Sequence, residues 1–150
     1  MTDDANSTFV YVTYIRANPE RLWAALTNPA EMKRFWFGMH CDSDFRAGSP
    51  WRLVFTDGRV ADSGEILEAD PPKRLVIHWV HEWRPELAAE GPAKCVIDLE
   101  PQNGATKLTV THSIAREKSK LIEAVSGGWP QILSNLKSLI ETGEIAFSRE

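Results

Sequence analysis

The spacing of apolar and polar positions changes character three times along the chain. Residues 9–16, FVYVTYIR, are β-branched and aromatic and predict a strand. The period then becomes helical. Leu22, Trp23 and Leu26 follow Asn18, a good N-cap residue, and Pro19, which suits the first helical position. The same arrangement repeats at once: Asn28 caps, Pro29 opens, and Met32, Phe35 and Trp36 form the apolar stripe. Glu31 stands three after the cap, as in a capping box. Two short consecutive helices are predicted. Between 41 and 114 the pattern is that of antiparallel strands, over 51–56, 63–70, 74–83, 94–100 and 106–114. Asp57-Gly58, Pro71-Pro72 and Asn103-Gly104 mark the turns, and 84–93 reads as a loop. The last third returns to helical spacing at Leu121, Ile122 and Val125. GGWP interrupts it, and Ile132, Leu133, Leu136, Leu139 and Ile140 continue it to Gly143. The expectation is a short helix, a break near Gly127-Gly128, and a long helix from about Trp129, with one kinked helix as the alternative.

Alternation within the strands assigns their faces. Leu75, Ile77, Trp79, His81 and Trp83 share one face of their strand; Val76, His78, Val80 and Glu82 share the other. Cys95, Ile97 and Leu99 form an apolar set in the next strand. Leu108, Val110 and His112 do so in the last, and Trp51, Leu53 and Phe55 in an earlier one. One curved sheet therefore wraps a filler, for which the amphipathic C-terminal helix is the obvious candidate. The same parity decides the reading of HWVHEW, residues 78–83. On a strand His78 and His81 point apart and cannot bind one ion. A shared metal site would need a helix, against which Val76, Ile77 and Val80 argue.

Composition narrows the function classes. The 150 residues suit one domain with a sizeable core, 43% apolar and 25% charged. The formal charge of −4 and the lack of any Lys/Arg block disfavour nucleic acid as a partner. Cys41 and Cys95 lie far apart and form no metal motif. No apolar run approaches a membrane span, and MTDDANST does not read as a signal peptide, so a cytoplasmic location is expected. Six tryptophans is the unusual count, since tryptophan is enriched where proteins grip ligands.

YIRANPERLWAALTNPAEMKRFW, GSPWRL, GEILEADPPKRLVIHW, KLTVTHSI and GGWPQILSNLKSLIETG together resemble the START-like, helix-grip superfamily. The branch they are most similar to is the bacterial one named for the activator of the heat-shock chaperone ATPase. The resemblance spans about residues 8–143, leaving 1–7 and 144–150 as expected flexible tails. It implies an α+β fold in which a curved antiparallel sheet grips a long C-terminal helix around a cavity, with two short helices after the first strand. Superfamily members carry lipids, sterols, hormones or polyketides, and some are cyclases. No catalytic motif carries over residue by residue.

Trp51, Phe55, Trp79, His81, Trp83 and Ile97 are the candidate sheet-side lining of that cavity. Trp36 and Phe37 are placed to close its mouth, and Trp129 and Leu133 to face it from the helix. Each aromatic alone would be read as core; the group is read as a ligand cavity. His81 and His112 are the polar groups expected to look inward, as acid/base groups or as structural hydrogen-bonding histidines. Neither has an obvious carboxylate on its own strand face; Glu68 is the one weighed, and a solvated position suits it better. Cys95 reads as an inert buried thiol. HCDSD, residues 40–44, reads as a strand edge or loop.

The function expected is binding of a small hydrophobic or amphipathic molecule, without metal or cofactor. The alternatives are a polyketide-cyclase- or hydratase-like enzyme using a cavity histidine, and a chaperone-interacting module; a homodimer is open. A buried histidine–carboxylate contact in the cavity would favour the enzyme.

Overall fold

The computed structural model describes residues 6–148; the parts of the expected tails at 1–5 and 149–150 lie outside the described residues. The chain runs β1 (Ser7–Ile15), α1 (Pro19–Thr27), α2 (Pro29–Phe35), β2 (His40–Ser43), β3 (Pro50–Val54), β4 (Val60–Asp70) and β5 (Arg74–His81). α3 (Pro85–Ala88), β6 (Ala93–Gln102), β7 (Ala105–Ile114) and α4 (Lys120–Thr142) complete it. The strands form one antiparallel sheet in the order β1-β7-β6-β5-β4-β3-β2. This is the expected helix-grip α+β architecture, and HCDS becomes its edge strand β2.

The helix starts follow from local chemistry. Asn18 Oδ1 accepts from the backbone of Arg21 at 2.8 Å, and Asn28 Oδ1 accepts from Ala30 and Glu31. Only half of the expected capping box forms. The Glu31 carboxylate turns instead to the Arg21 guanidinium, at 2.6 and 3.0 Å, and joins α1 to α2. The loop expected at 84–93 contains α3, opened by Pro85 and anchored by buried Leu87. Glu90, just beyond it, accepts from Ser119 Oγ and from the backbone of Lys120 and Leu121. It thus sits on the positive end of α4.

α4 corrects one expectation. It is a single helix of 23 residues, with no break at Gly127-Gly128 and with Pro130 inside it. Helix-breaking signals set a local cost of a few kcal/mol. The apolar stripe on both sides of the interruption outweighs it. Leu121, Ile122, Trp129, Ile132, Leu133, Leu136 and Leu139 are all buried. Gly143 ends the helix in the left-handed conformation, its N–H on the Leu139 carbonyl. Asn135, fully buried, ties the chain beyond the helix back to it. Its Oδ1 accepts from Ala146 and Phe147, and its Nδ2 donates to the carbonyls of Phe147 and Phe35. On the outer face of β1, Val10, Val12 and Tyr14 remain exposed.

If α4 fills the concave sheet, Leu136→Ala should lower unfolding free energy by about 2–5 kcal/mol. Lys137→Ala removes only a surface tether to the Tyr14 carbonyl and to Glu141, and should cost no more than about 1 kcal/mol. Chemical denaturation of both variants checks this, and equal small effects would remove the helix from the core.

Candidate functional site

The site begins where β5 ends. His81 is buried at the last position of the strand, and its cross-strand partner on β4 is Asp62, also buried. His81 Nδ1 lies 2.7 Å from Asp62 Oδ1. A carboxylate only accepts, so this bond places the proton on Nδ1. That leaves Nε2 as an acceptor in the neutral ring and a donor in the imidazolium. Nε2 is buried and has no hydrogen-bond partner among the described residues. A buried carboxylate is costly unless paired, and a buried ring nitrogen without a partner adds to that cost.

The pairing depends on a β-bulge. Next to the Pro71-Pro72 turn the register is Asp70↔Arg74, Ala69↔Leu75 and Glu68↔Val76. Continued without interruption it would set Ser63 opposite His81 and turn Asp62 to the other face. An extra residue, Leu67, shifts the ladder by one, so that Ile66 pairs with Ile77 and Asp62 with His81. Glu68 then stays exposed beside Arg74, as the sequence suggested.

Asp62 and His81 open onto a cavity of about 490 Å³ between the sheet and α4, a size that suits a drug-sized molecule. Leu53, Trp79 and His81 form its sheet wall; Trp36, Phe37 and Met39 come from the end of α2. Leu121, Ala124, Val125, Gly127, Gly128, Trp129 and Ile132 form its helix wall. Trp83, half exposed, stands at the rim with Arg84 and Leu87. His78, three residues before His81, is on the opposite face and half-buried, so the two imidazoles diverge as expected.

Of the residues expected to line the cavity, Trp36, Phe37, Trp79, His81, Trp83 and Trp129 do. Five do not reach it. Trp51 and Ile97 border only a second void of about 10 Å³, too small for a ligand. Trp51 is instead the floor under Trp79, with ring centroids 4.4 Å apart. That contact crosses Gly64, which pairs with both tryptophans. Any Cβ there would collide with the His78 carbonyl oxygen, and the φ of 152° suits glycine. Phe55 lies just past the end of β3, where its N–H donates to the Arg59 carbonyl. It packs edge-on to Trp83 at the rim, with Arg59 over its ring. Leu133 is buried in the core.

His112 lies behind the wall. Its Nδ1 accepts from Trp129 Nε1 at 3.1 Å, and its ring packs on Trp79 at 4.8 Å. Burial pushes its pKa down to about 4, so it stays neutral and orients two cavity tryptophans. Both thiols are inert: burial pushes Cys41 up to about 12 and Cys95 higher still. Sequence reasoning missed Asp62, since it began the strand at 63, and missed the two helix glycines, which it took for a break. The bulge that turns Asp62 inward has no signature in a run such as GEILEAD.

Residues 16–141 match the family model described as Activator of Hsp90 ATPase homolog 1-like protein. The fold is similar to CalU16 from Micromonospora echinospora, at 24% identity and TM-score 0.72, covering 91% of this chain and 77% of that one. It is also similar to the Aha1 dimer from Colwellia psychrerythraea, at 20% identity and TM-score 0.74, covering 91% and 98%. A third is PFC0360w, an HSP90 activator from Plasmodium falciparum, at 21% identity and TM-score 0.71, covering 88% and 94%. At these identities the likeness concerns the fold. No curated protein matches the chain.

The depressed pKa of His112 makes stability depend on pH. The unfolded histidine takes up a proton near pH 6.5 and the folded one only near 4. Stability should therefore be fully present above 6.5 and fall as pH drops toward 4, by roughly 3 kcal/mol in all. His112→Gln keeps an acceptor for Trp129 but does not titrate, so the stability gap between wild type and variant should narrow across that window. A gap that is constant with pH would show that His112 is not buried neutral.

Proposed function

The chain belongs to the Activator of Hsp90 ATPase homolog 1-like family, and from that premise we propose that it binds a small amphipathic molecule in the cavity between sheet and α4. The observation that carries the reading is two buried polar atoms without partners among the described residues, His81 Nε2 and Trp79 Nε1, on side chains that line the cavity. Native proteins rarely leave such groups unsatisfied, and a ligand that fills the cavity would supply the missing hydrogen bonds. The aromatic surround contributes apolar area, and Asp62 holds the His81 ring in one orientation.

The Asp62–His81 contact also supports a second reading, in which the bound molecule is a substrate. A histidine whose Nδ1–H is held by a carboxylate, with Nε2 turned to the reactant, is the arrangement of a general base or acid. On this reading Asp62 is the positioning residue and His81 moves the proton.

Native mass spectrometry of the purified protein should reveal a co-purified small molecule, or binding of about one environment-sensitive apolar dye per chain. Trp79→Ala should weaken dye binding more than Trp23→Ala, because Trp23 packs from α1 outside the cavity. Equal effects in two folded variants would remove the cavity from the binding reaction. For the enzymatic reading, the co-purified molecule should be converted by wild type, and Asp62→Asn should slow turnover by about 10² or more while leaving affinity nearly unchanged. A molecule recovered unaltered after incubation would restrict the site to binding.

A further inference from the structure

Gly127 and Gly128 lie in the interior of α4 and on the cavity wall. Nothing in the fold asks for glycine at either position. Neither is in the left-handed region, and a Cβ placed on either would meet no atom within 4 Å. The contrast with Gly64, where a Cβ collides with backbone, is direct. Glycine in a helix interior is less favourable than alanine, so two in succession weaken α4 without any gain in packing. What the pair does is leave the helix wall bare. The second observation lies on the opposite wall: His81, 7% exposed, lines the same cavity and has its Nε2 without a partner among the described residues.

We propose that Gly127 and Gly128 determine specificity, forming with the surrounding indoles a seat for the flat face of an aromatic compound whose hydroxyl group hydrogen-bonds His81 Nε2. This deepens the binding reading and rests on it. Two consecutive glycines present peptide backbone with no side chain standing above it, a surface that a ring can approach and a branched aliphatic group would use poorly. Trp36, Trp79 and Trp129 supply the other aromatic surfaces. The headgroup follows from Asp62. Its carboxylate keeps a proton on Nδ1, and a hydroxyl can both donate to and accept from Nε2, so it suits either form of the ring. The same buried carboxylate disfavours an anionic headgroup beside it.

The test uses 2-naphthol as the probe and 2-methylnaphthalene as the analogue of like shape without the hydroxyl, each followed by quenching of tryptophan fluorescence. Wild type should bind 2-naphthol saturably, and the methyl analogue about fivefold more weakly. Gly127→Leu and Gly128→Leu should each weaken 2-naphthol binding by about tenfold or more, with unfolding midpoints no lower than wild type. Gly127→Ala and Gly128→Ala should raise the midpoint by about 1–4 °C and weaken binding less. Should the leucine variants fail to fold, the alanine pair decides, and a raised midpoint with unchanged affinity overturns the proposal. Leucine variants that bind within about twofold of wild type, while Trp79→Ala loses binding, would overturn the glycine seat and leave the cavity standing. Equal binding of the two probes would overturn the hydroxyl. Failure of wild type to bind 2-naphthol overturns the proposal, and failure to bind an apolar dye as well overturns the cavity reading beneath it.

Discussion

A seven-stranded sheet is wider than the helix it must enclose. Six interstrand spacings of about 4.8 Å give a width of about 29 Å, whereas a helix with its side chains is about 10 Å across. α4 lies against β1, β7 and α2, so the other half of the concave face needs a different filler. Large side chains supply most of it. Trp51 and Trp79 meet across Gly64, Trp129 and Trp36 approach from the helices, and His112 bonds Trp129 from behind. The space left over is the cavity. Trp36, Trp79 and Trp129 bound it.

The polar groups inside that space bear on stability and on the proposed function alike. A buried carboxylate would be costly alone, and Asp62 is tolerated because His81 answers it. The pair is only half satisfied, since the far nitrogen of the ring has no partner among the described residues. The helix glycines belong to the same pattern: locally unfavourable, unneeded for packing, and set on the cavity wall. Rules of local consistency fail in a folded protein mainly where function asks them to. Here the two departures line one cavity. The two ends of the helix are conventional, with a Ser119 cap, the Glu90 carboxylate at its positive end and Gly143 at its close.

Most of the fold was legible along the chain because the signals are local. Asparagine followed by proline marked both short helices, and period-two alternation placed Trp79 and His81 inward and His78 outward. Turn pairs separated the strands. The apolar stripe named the buried residues of α4 even though the helix was expected to break. Part of the site was legible in the same way, since Trp36, Phe37, Trp79, His81, Trp83 and Trp129 were placed by parity or by position at a helix end.

Tertiary packing alone settled which residues lie opposite one another. Cross-strand register is a sum over a whole ladder, and one bulged residue, Leu67, changes every pairing beyond it. No local pattern announces that residue, so the carboxylate that orients His81 was hidden until Asp62 was brought across the strand. The same holds for Phe55, which falls past the end of β3 and packs on Trp83 at the rim. Gly127 and Gly128 read as a break because propensity counts only the helix itself. Burial of the stripe on both sides held the helix together, and the two glycines became part of the cavity wall. The order of residues was enough to set the elements and the faces they bury, because those follow from short-range periodicity. The composition of the site was left to the register and packing of distant segments, which short-range periodicity does not encode.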